Sequence, residues 1–131
     1  MSNRVKITNP DTREKLQQVI RVLNDVIEQK KPYDICGTVY DTIGYCAQDK
    51  WFNKRGLYLK RDILGLYPVY LGWPCFMAIK LFFGFEEHDG TYLFSSSGYR
   101  TNSNNITPNV VKRRIKYVLK RGIPSSVFGE Q

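Results

Sequence analysis

The chain has 131 residues, of which 42% are hydrophobic and 14% aromatic, and its formal net charge is +8 at pH 7. This length and apolar content predict a single folded domain, residues 1–131, and exclude a wholly disordered chain. The charge favours a negatively charged partner, and nucleic acid, nucleotides, anionic lipid and acidic protein surfaces all meet that description.

The first predicted element is an amphipathic helix that follows Asn9-Pro10. Apolar residues recur there at three- and four-residue spacing, which is typical of one buried helical stripe. The stripe consists of Leu16, Val19, Ile20, Leu23, Val26 and Ile27. Asp11 with Glu14 fits a capping box at its start, and Lys30-Lys31-Pro32 predicts its end.

The middle of the chain has weaker patterns. Residues 38–48 are predicted to form a short helix, in which Gly44 either weakens the helix or permits close packing. Residues 57–70 are predicted to be irregular or to form a small hairpin, because Gly65 and Pro68 interrupt any longer element.

Trp73-Pro74 predicts the start of another helix, with proline at its first position. This segment is apolar nearly all round, except for Lys80, so we expect a central buried helix that ends at Gly84. Residues 86–94 are expected to add one more helical turn.

The last helix is predicted over residues 110–121, with Thr107 as its N-cap, Pro108 as its first residue and Gly122 beyond its end. Residues 123–131 are expected to be a flexible tail. Together these elements predict a mainly α fold, a compact single domain of four or five helices.

Cysteine usage limits the metal and redox chemistry. Cys36, Cys46 and Cys75 are an odd number without short Cys-x-x-Cys spacing, so buried thiols are favoured over a disulfide framework or a zinc site. A nucleophilic Cys36 would need His88, the sole histidine, as its base, and nothing local pairs the two. We expect neither a metal nor a cofactor.

Other catalytic patterns are also missing. Carboxylates in turns could pair for acid–base chemistry, although exposed turn acids are the commoner explanation; they are Asp41, Asp49, Glu86, Glu87 and Asp89. Neither glycine-rich phosphate-loop signature occurs. The sequence therefore assigns no catalytic residue and favours a protein that is not an enzyme.

A set of short patterns resembles a group of small proteins common in bacteria and phages. The patterns are Cys36-Gly-Thr, Gly44-x-Cys46-Ala47, Phe82-Phe83-Gly84, Tyr92-Leu93-Phe94 and the Thr-Pro cap of the last helix. The resemblance covers roughly residues 33–120 and concerns the fold, since it implies no particular activity.

The small size, the basic charge, the aromatics and the arginine-bearing helix are also similar in style to phage proteins that defeat Thoeris or CBASS immunity. Those proteins are oligomeric sponges for cyclic nucleotide or cyclic ADP-ribose signals. The resemblance implies a phage-type anti-defence protein in the cytoplasm of a bacterial host. It would form a homo-oligomer and have no membrane partner. The absence of an apolar signal region and of a bilayer-length apolar stretch agrees with that location.

A hydroxyl-rich loop followed by a basic helix predicts an anion site. Ser95, Ser96, Ser97 and the backbone near Gly98 can donate to a phosphate, and arginines of the last helix can add bidentate contacts. Aromatic rings can stack on a base. The ligand-binding candidates are Ser95, Ser96, Ser97, Tyr99, Arg100, Asn105, Arg113, Arg114, Thr38 and Trp51. Arg114, at the edge of the core stripe, is expected to reach a phosphate held by the loop, with Arg113 as an outer contact.

Two other partners fit the same residues. The basic last helix could lie along the phosphates of a nucleic acid, although no helix-turn-helix or RNA-binding signature occurs. An acidic surface of a host protein could also bind it, which would make the chain an inhibitor. A small phosphorylated nucleotide, held without being cleaved, is the function that the sequence favours.

Overall fold

The computed structural model describes residues 4–63, 65–86 and 88–124. The described residues form six α-helices, two short 3-10 turns and two antiparallel sheets. The helices are α1 (Pro10–Glu28), α2 (Thr42–Cys46), α3 (Lys50–Asn53), α4 (Cys75–Phe83), α5 (Asp89–Phe94) and α6 (Pro108–Arg121). The strands are β1 (Arg4–Val5), β2 (Tyr58–Asp62), β3 (Gly65–Tyr70), β4 (Trp73–Pro74) and β5 (Ile123–Pro124).

The prediction of a mainly α domain with four or five helices is wrong, because the fold is mixed α/β. One sheet has the order β2-β3-β4, and the other pairs β1 with β5. The second sheet joins the two ends of the described chain, with Val5 opposite Ile123. Such a pairing leaves no local signal, since each strand is two residues long and its partner is more than a hundred residues away.

The hairpin over β2 and β3 is one of the two alternatives that the sequence allowed for residues 57–70. Tyr58 lies opposite Val69, and Asp62 lies opposite Gly65. Pro68 is in β3 at a position opposite Leu59, so it does not break the strand. A two-residue turn at Leu71 and Gly72 then returns the chain into β4.

Helices α1 and α6 pack against each other and provide much of the core. The Asn9 side chain caps α1 by accepting from the backbone N–H of Asp11 at 2.9 Å, and this replaces the predicted Asp11–Glu14 capping box. The predicted cap of α6 is confirmed, since Thr107 accepts from the N–H of Val110 and Gly122 follows the helix. The buried residues of this pair include Leu16, Val19, Leu23, Val26, Val111, Ile115 and Val118.

Helix α4 begins one residue later than predicted, because Trp73 and Pro74 pair with β3 before the helix starts. Its predicted end at Gly84 is confirmed, and this glycine has a left-handed backbone with a φ of 71°. Phe82 and Phe83 are each 1% exposed, but Phe76 on the same helix is 47% exposed. The helix is therefore buried along one side and is not the all-round buried helix that its composition predicted.

The structure corrects two further predictions within the described residues. The helix predicted over residues 38–48 is limited to α2, because Asp41 caps it and the residues before Asp41 form turns. Ile123 and Pro124, which the sequence placed in a flexible tail, are buried in β5. The rest of that predicted tail lies outside the described residues, as does Glu87 from the set of candidate carboxylates.

Candidate ligand-binding cleft

A cleft with a volume of about 330 Å³ opens beside the N-terminal end of α4. Ile43, Ile79 and Phe94 form apolar walls, and they come from α2, α4 and α5. The polar groups on its surface are Thr38, Asp41, Ser95 and Ser96. The cleft therefore combines an apolar interior with a few polar groups, which is the usual composition of a small-molecule site.

Three residues that the sequence predicted as ligand contacts lie on this one cleft. Thr38 belongs to the turn before α2, and Ser95 and Ser96 follow α5. These segments are far apart in the chain, and no local pattern predicts that they meet. The fold brings them together because α2, α4 and α5 share a side of the core.

Asp41 is the acidic group of the cleft. Its side chain caps α2 by accepting from the backbone N–H of Gly44 at 2.7 Å. Burial is the main reason that its pKa rises to about 7, because a low-polarity environment disfavours the carboxylate, while the bond from Gly44 partly offsets this. Within the described ranges no side chain donates a hydrogen bond to it. Asp41 therefore retains acceptor capacity beside the cleft.

Gly44 is required by this arrangement. A Cβ atom there would collide with the Val39 carbonyl and would lie 2.7 Å from the Asp41 carboxylate. Of the two roles that the sequence allowed for Gly44, close packing is the one present. A larger side chain at this position would displace Asp41 from its cap.

The hydroxyl groups beside the cleft are partly engaged. Thr38 donates to the Leu66 carbonyl at 2.8 Å, which links its turn to β3 and leaves its oxygen as an acceptor. Ser95 and Ser97 share a hydrogen bond of 3.0 Å, and Ser97 is exposed. Ser96 is thus the hydroxyl with the greatest freedom to donate to a ligand.

Arg114 contacts the predicted loop, but through the backbone of the loop. Its Nη1 donates to the carbonyls of Tyr92 at 2.7 Å and Gly98 at 2.6 Å. Its guanidinium lies between two rings, 4.1 Å from the centre of Tyr92 and 3.7 Å from that of Tyr99. These contacts give Arg114 a structural role that needs no ligand. We call Arg114, Tyr92, Gly98 and Tyr99 the Arg114 clamp.

Within the clamp, Tyr99 is fixed by its own contacts. This ring is buried, and its hydroxyl donates to the Leu93 carbonyl at 2.7 Å. Burial raises the pKa of the Tyr99 phenol, an effect that the nearby Arg114 charge opposes. Gly98 is necessary here as well, since a Cβ atom would overlap the Thr91 carbonyl. The loop is therefore held in one shape by the protein itself.

The remaining predicted contacts lie away from the cleft lining. Arg113 and Arg100 are exposed. Asn105 donates to the Thr101 hydroxyl at 3.1 Å. Trp51 is covered by the guanidinium of Arg55, 3.5 Å from its ring centre. The structure does not bring these four side chains to one place with Ser95 and Ser96.

The other candidate catalytic side chains either form hydrogen bonds and ion pairs within the protein or lie apart from one another. Asp49 forms an ion pair with Arg21 at 2.7 Å and caps α3, and Asp89 accepts from the backbone N–H of Glu86. Cys36 and Cys75 line the cleft and are exposed, whereas Cys46 is buried. Two thiols are therefore accessible, against the expectation of buried cysteines. Burial, then the nearby Asp41 charge, raises the pKa of the Cys75 thiol, which disfavours a thiolate nucleophile.

Asp41 is the residue of the cleft whose importance the sequence analysis missed, since it was considered only as one of several turn acids. A signal was present in Asp41-x-x-Gly44, where an acid three residues before glycine suits a tight helix cap. Cys75, Phe76 and Ile79 could not have been found, because they reach the cleft only through the turn of β4 into α4.

Comparison of the chain with protein-family models, with curated proteins and with solved structures gave no match. Among the helices of residues 4–63, 65–86 and 88–124, none is both long enough and apolar enough to cross a membrane. The same residues contain no cluster of three or more His, Cys, Asp or Glu side chains suited to a metal ion.

Proposed function

We propose that this protein binds a small phosphorylated nucleotide in the cleft beside Asp41 and holds it without chemical change. The observation that carries the proposal is the convergence of Thr38, Ser95 and Ser96, three predicted ligand contacts, on one cleft of about 330 Å³. That volume lies at the lower end of the range for small-molecule sites, roughly 300–1,000 Å³.

The chemistry of the cleft suits different parts of such a ligand. The apolar walls formed by Ile43, Ile79 and Phe94 fit a base or the face of a ribose. Asp41 can accept from N–H or O–H groups of the nucleoside, and Ser96 can donate to a phosphate oxygen. No lysine or arginine is among the described residues that line the cleft. The phosphate is attracted mainly by the overall charge of +8.

Sequestration is favoured over catalysis because the cleft lacks a paired nucleophile and base among its described residues. The Cys75 thiol has a raised pKa, and Asp41 is used to cap α2. Together with the likeness in style to phage sponges, this makes a cyclic nucleotide or cyclic ADP-ribose immune signal, captured in the cytoplasm of a bacterial host, the proposed ligand class.

Isothermal titration against a panel of cyclic dinucleotides and cyclic ADP-ribose variants tests this proposal. We expect at least one to bind saturably with a Kd below the high micromolar range, and to be recovered intact after heat denaturation of the complex. Absence of binding across the panel would refute the nucleotide proposal. Recovery of a cleaved ligand would refute sequestration and identify a hydrolase.

A specific surface favours nucleic acid as the second candidate. Arg113, Lys116 and Lys120 are exposed on α6, and their spacing places them along one side of a helix that has no acidic residue. Tyr117 is 51% exposed between them and is contacted by Arg4, 4.9 Å from its ring centre. Cations beside an exposed ring are suited to a phosphate backbone and its bases.

The two candidates predict different responses to salt and to mutation. Binding of nucleic acid along α6 would weaken steeply as salt rises, and Lys116→Ala would reduce both the affinity and the salt slope. Binding of a nucleotide in the cleft would be weakened by Ser96→Ala and would not change in Lys116→Ala. A filter-binding series with single-stranded and duplex DNA, run beside the calorimetry, separates these outcomes.

A further inference from the structure

The polar groups around Asp41 offer a ligand acceptors of hydrogen bonds. Asp41 and Thr38 both line the cleft. The Thr38 hydroxyl donates to the Leu66 carbonyl, so its oxygen is left as an acceptor. No lysine or arginine is among the described residues of the lining. A part of a ligand that presents N–H groups is therefore favoured beside Asp41, and a part that presents lone pairs is repelled.

The Asp41 carboxylate has room for two further donors. A carboxylate offers about four acceptor positions. The backbone N–H groups of Gly44 and of Asp41 itself donate to it, and no side chain of the described ranges does so. The bond from Gly44, at 2.7 Å, also fixes the orientation of the carboxylate. Two parallel N–H···O bonds to one carboxylate are a strong and directional arrangement, so a ligand with two adjacent N–H groups suits this side chain.

The surroundings of Asp41 indicate which part of a nucleotide lies beside it. Burial is the main cause of the raised pKa of Asp41, so the carboxyl group is shielded from water. Ile43, two residues further along, is 1% exposed and forms an apolar wall of the cleft. A flat nucleobase fits such surroundings. The ribose and the phosphates carry more polar oxygens, and they are better accommodated by Ser96 and by water.

The common nucleobases differ in what their edges present to a carboxylate. Guanine carries two adjacent donors, the N1–H and the N2 amino group. Adenine and cytosine carry an amino group beside a ring nitrogen with a lone pair, and the N–H of uracil lies between two carbonyls. In a shielded site those lone pairs would face the carboxylate without a donor between them, which is costly. Guanine is therefore the base that the carboxylate accepts best.

We propose that Asp41 selects a guanine base by accepting hydrogen bonds from its N1–H and N2 amino groups. This inference rests on the proposed function, because it assigns a base to the same cleft, and it narrows the ligand to a guanine nucleotide. Asp41 then determines specificity in addition to capping α2. Gly44 positions the carboxylate for both roles.

Calorimetry of the full chain at pH 7.5 tests the inference with cyclic dinucleotides that differ only in their bases, which are guanine, hypoxanthine or adenine. This pH is above the Asp41 pKa of about 7, so the carboxylate is the main form. Hypoxanthine lacks the N2 amino group, and its ligand should bind about tenfold or more weakly than the guanine ligand because one bond to a charged group is lost. The adenine ligand should bind at least as weakly. The matching cyclic mononucleotides extend the series to ligands with one base.

Asp41→Asn shows whether this carboxylate is the source of the preference. Asparagine keeps a cap for α2, but its side chain presents a donor as well as an acceptor. The variant should bind the guanine ligand about tenfold or more weakly and should distinguish guanine from hypoxanthine by less than about threefold. Glu28→Gln is the matched control, because it removes the same charge from an exposed residue at the end of α1 and should keep the preference. Circular dichroism checks the fold of both variants.

The outcomes separate this inference from the proposed function. Binding of none of the ligands refutes the proposed function and the guanine inference with it. Saturable binding with equal affinity for the three bases agrees with the proposed function and overturns guanine selection. A preference for adenine overturns it as well, and so does a guanine preference that is unchanged in Asp41→Asn. The ligand series on wild type requires no variant, so its result does not depend on the fold of a mutant.

Discussion

The Arg114 clamp and the cleft beside Asp41 are neighbouring regions that differ in how many of their polar side chains are free to bind a ligand. The clamp holds an arginine and two tyrosines, but its guanidinium is bonded to two carbonyls and covered by two rings. The cleft holds one carboxyl group, and that group keeps acceptor capacity after capping α2. The clamp has more charged and aromatic side chains, but they are bonded to each other and to the backbone. The cleft has fewer polar groups, but they remain accessible to a ligand.

This difference shows that the type of a side chain does not by itself tell whether the side chain is free to bind a ligand. A cation near hydroxyl groups suggests a phosphate site, yet backbone carbonyls at the end of a short helix compete for the same donors. Arg114 donates to such carbonyls, those of Tyr92 and Gly98, and so fixes the Ser95–Gly98 segment in place. The clamp can therefore support the cleft by positioning Ser95 and Ser96 without contacting a ligand.

The largest expected effect concerns the aromatic core around Phe82. The centre of the Phe82 ring lies 5.7 Å from the centre of the Phe52 ring and 5.2 Å from that of the Tyr70 ring. Phe82→Ala should lower the free energy of unfolding by about 3–5 kcal/mol, measured by urea denaturation. Phe76→Ala on the same helix is the control and should cost much less. A shift of only a degree or two in melting temperature for Phe82→Ala would contradict the described core.

The next prediction tests whether Arg114 is structural. Arg114→Ala removes a charged donor from two carbonyls and should lower the free energy of unfolding by roughly 2–3 kcal/mol. Arg113→Ala, on the exposed side of the same helix, should change it by less than about 0.5 kcal/mol. If Arg114→Ala retained full stability and lost only ligand affinity, Arg114 would be a ligand contact as the sequence predicted.

Asp41 should produce a pH-dependent stability. Its folded pKa of about 7 lies above its ordinary value of 3.8, so the folded state holds the proton more tightly than the unfolded state. Stability should therefore fall as the pH rises from about 4 to 7, by up to about 1.4 kcal/mol per pH unit, and then level off. Asp41→Asn keeps a cap and should remove this slope, so that the variant is more stable than wild type at pH 7.

Urea denaturation at several pH values measures that slope for both proteins. Asp49→Asn is a poor control because it breaks an ion pair, and Asp34→Asn is unsuitable because the Asp34 charge contributes to the raised pKa of Asp41. Glu28→Gln is the control, because it changes an exposed acid at the end of α1. Parallel pH profiles for wild type and Asp41→Asn would show that Asp41 is not held in a disfavoured charge state.

The smallest expected effect comes from the β3–β4 turn. Leu71→Asn should raise the free energy of unfolding of the monomer by about 1 kcal/mol or less, since Leu71 has a left-handed backbone with a φ of 52° and asparagine adopts it at lower cost. Urea denaturation at low protein concentration measures it, because association between copies then contributes nothing. A destabilised monomer would show that Leu71 supports the fold from within.

Local patterns in the sequence were sufficient for the long helices. The stripe of α1 and the Thr107 and Gly122 boundaries of α6 follow from periodicity and capping, which depend on nearby residues. The β2–β3 hairpin stayed one of two alternatives because β2 is mostly polar and exposed, and β1 and β5 were missed because they have two residues each. Pairing between the chain ends is a tertiary effect that no window of sequence contains.

The site was predictable only in part, for the same reason. Ser95 and Ser96 were found from the hydroxyl-rich composition of their loop, and Thr38 was one of the candidate ligand contacts. Their meeting point depends on the fold, which brings residues of α2, α4 and α5 to one cleft lining. The use of Arg114 by carbonyls depends on where a loop folds back on itself. Residue types thus identified candidate ligand-binding side chains, and the fold determines which of these side chains are free to contact a ligand.

The most direct test of the central claim is a comparison of affinities at the cleft and at α6. Calorimetry at pH 7.5 would compare wild type, Asp41→Asn, Ser96→Ala and Arg113→Ala, using the cyclic dinucleotide or cyclic ADP-ribose variant that binds wild type most tightly. We predict that Asp41→Asn and Ser96→Ala weaken binding about tenfold or more while Arg113→Ala leaves it unchanged. Unchanged affinity in both cleft variants, with binding lost in Arg113→Ala, would contradict a ligand in the cleft and assign it to the basic face of α6.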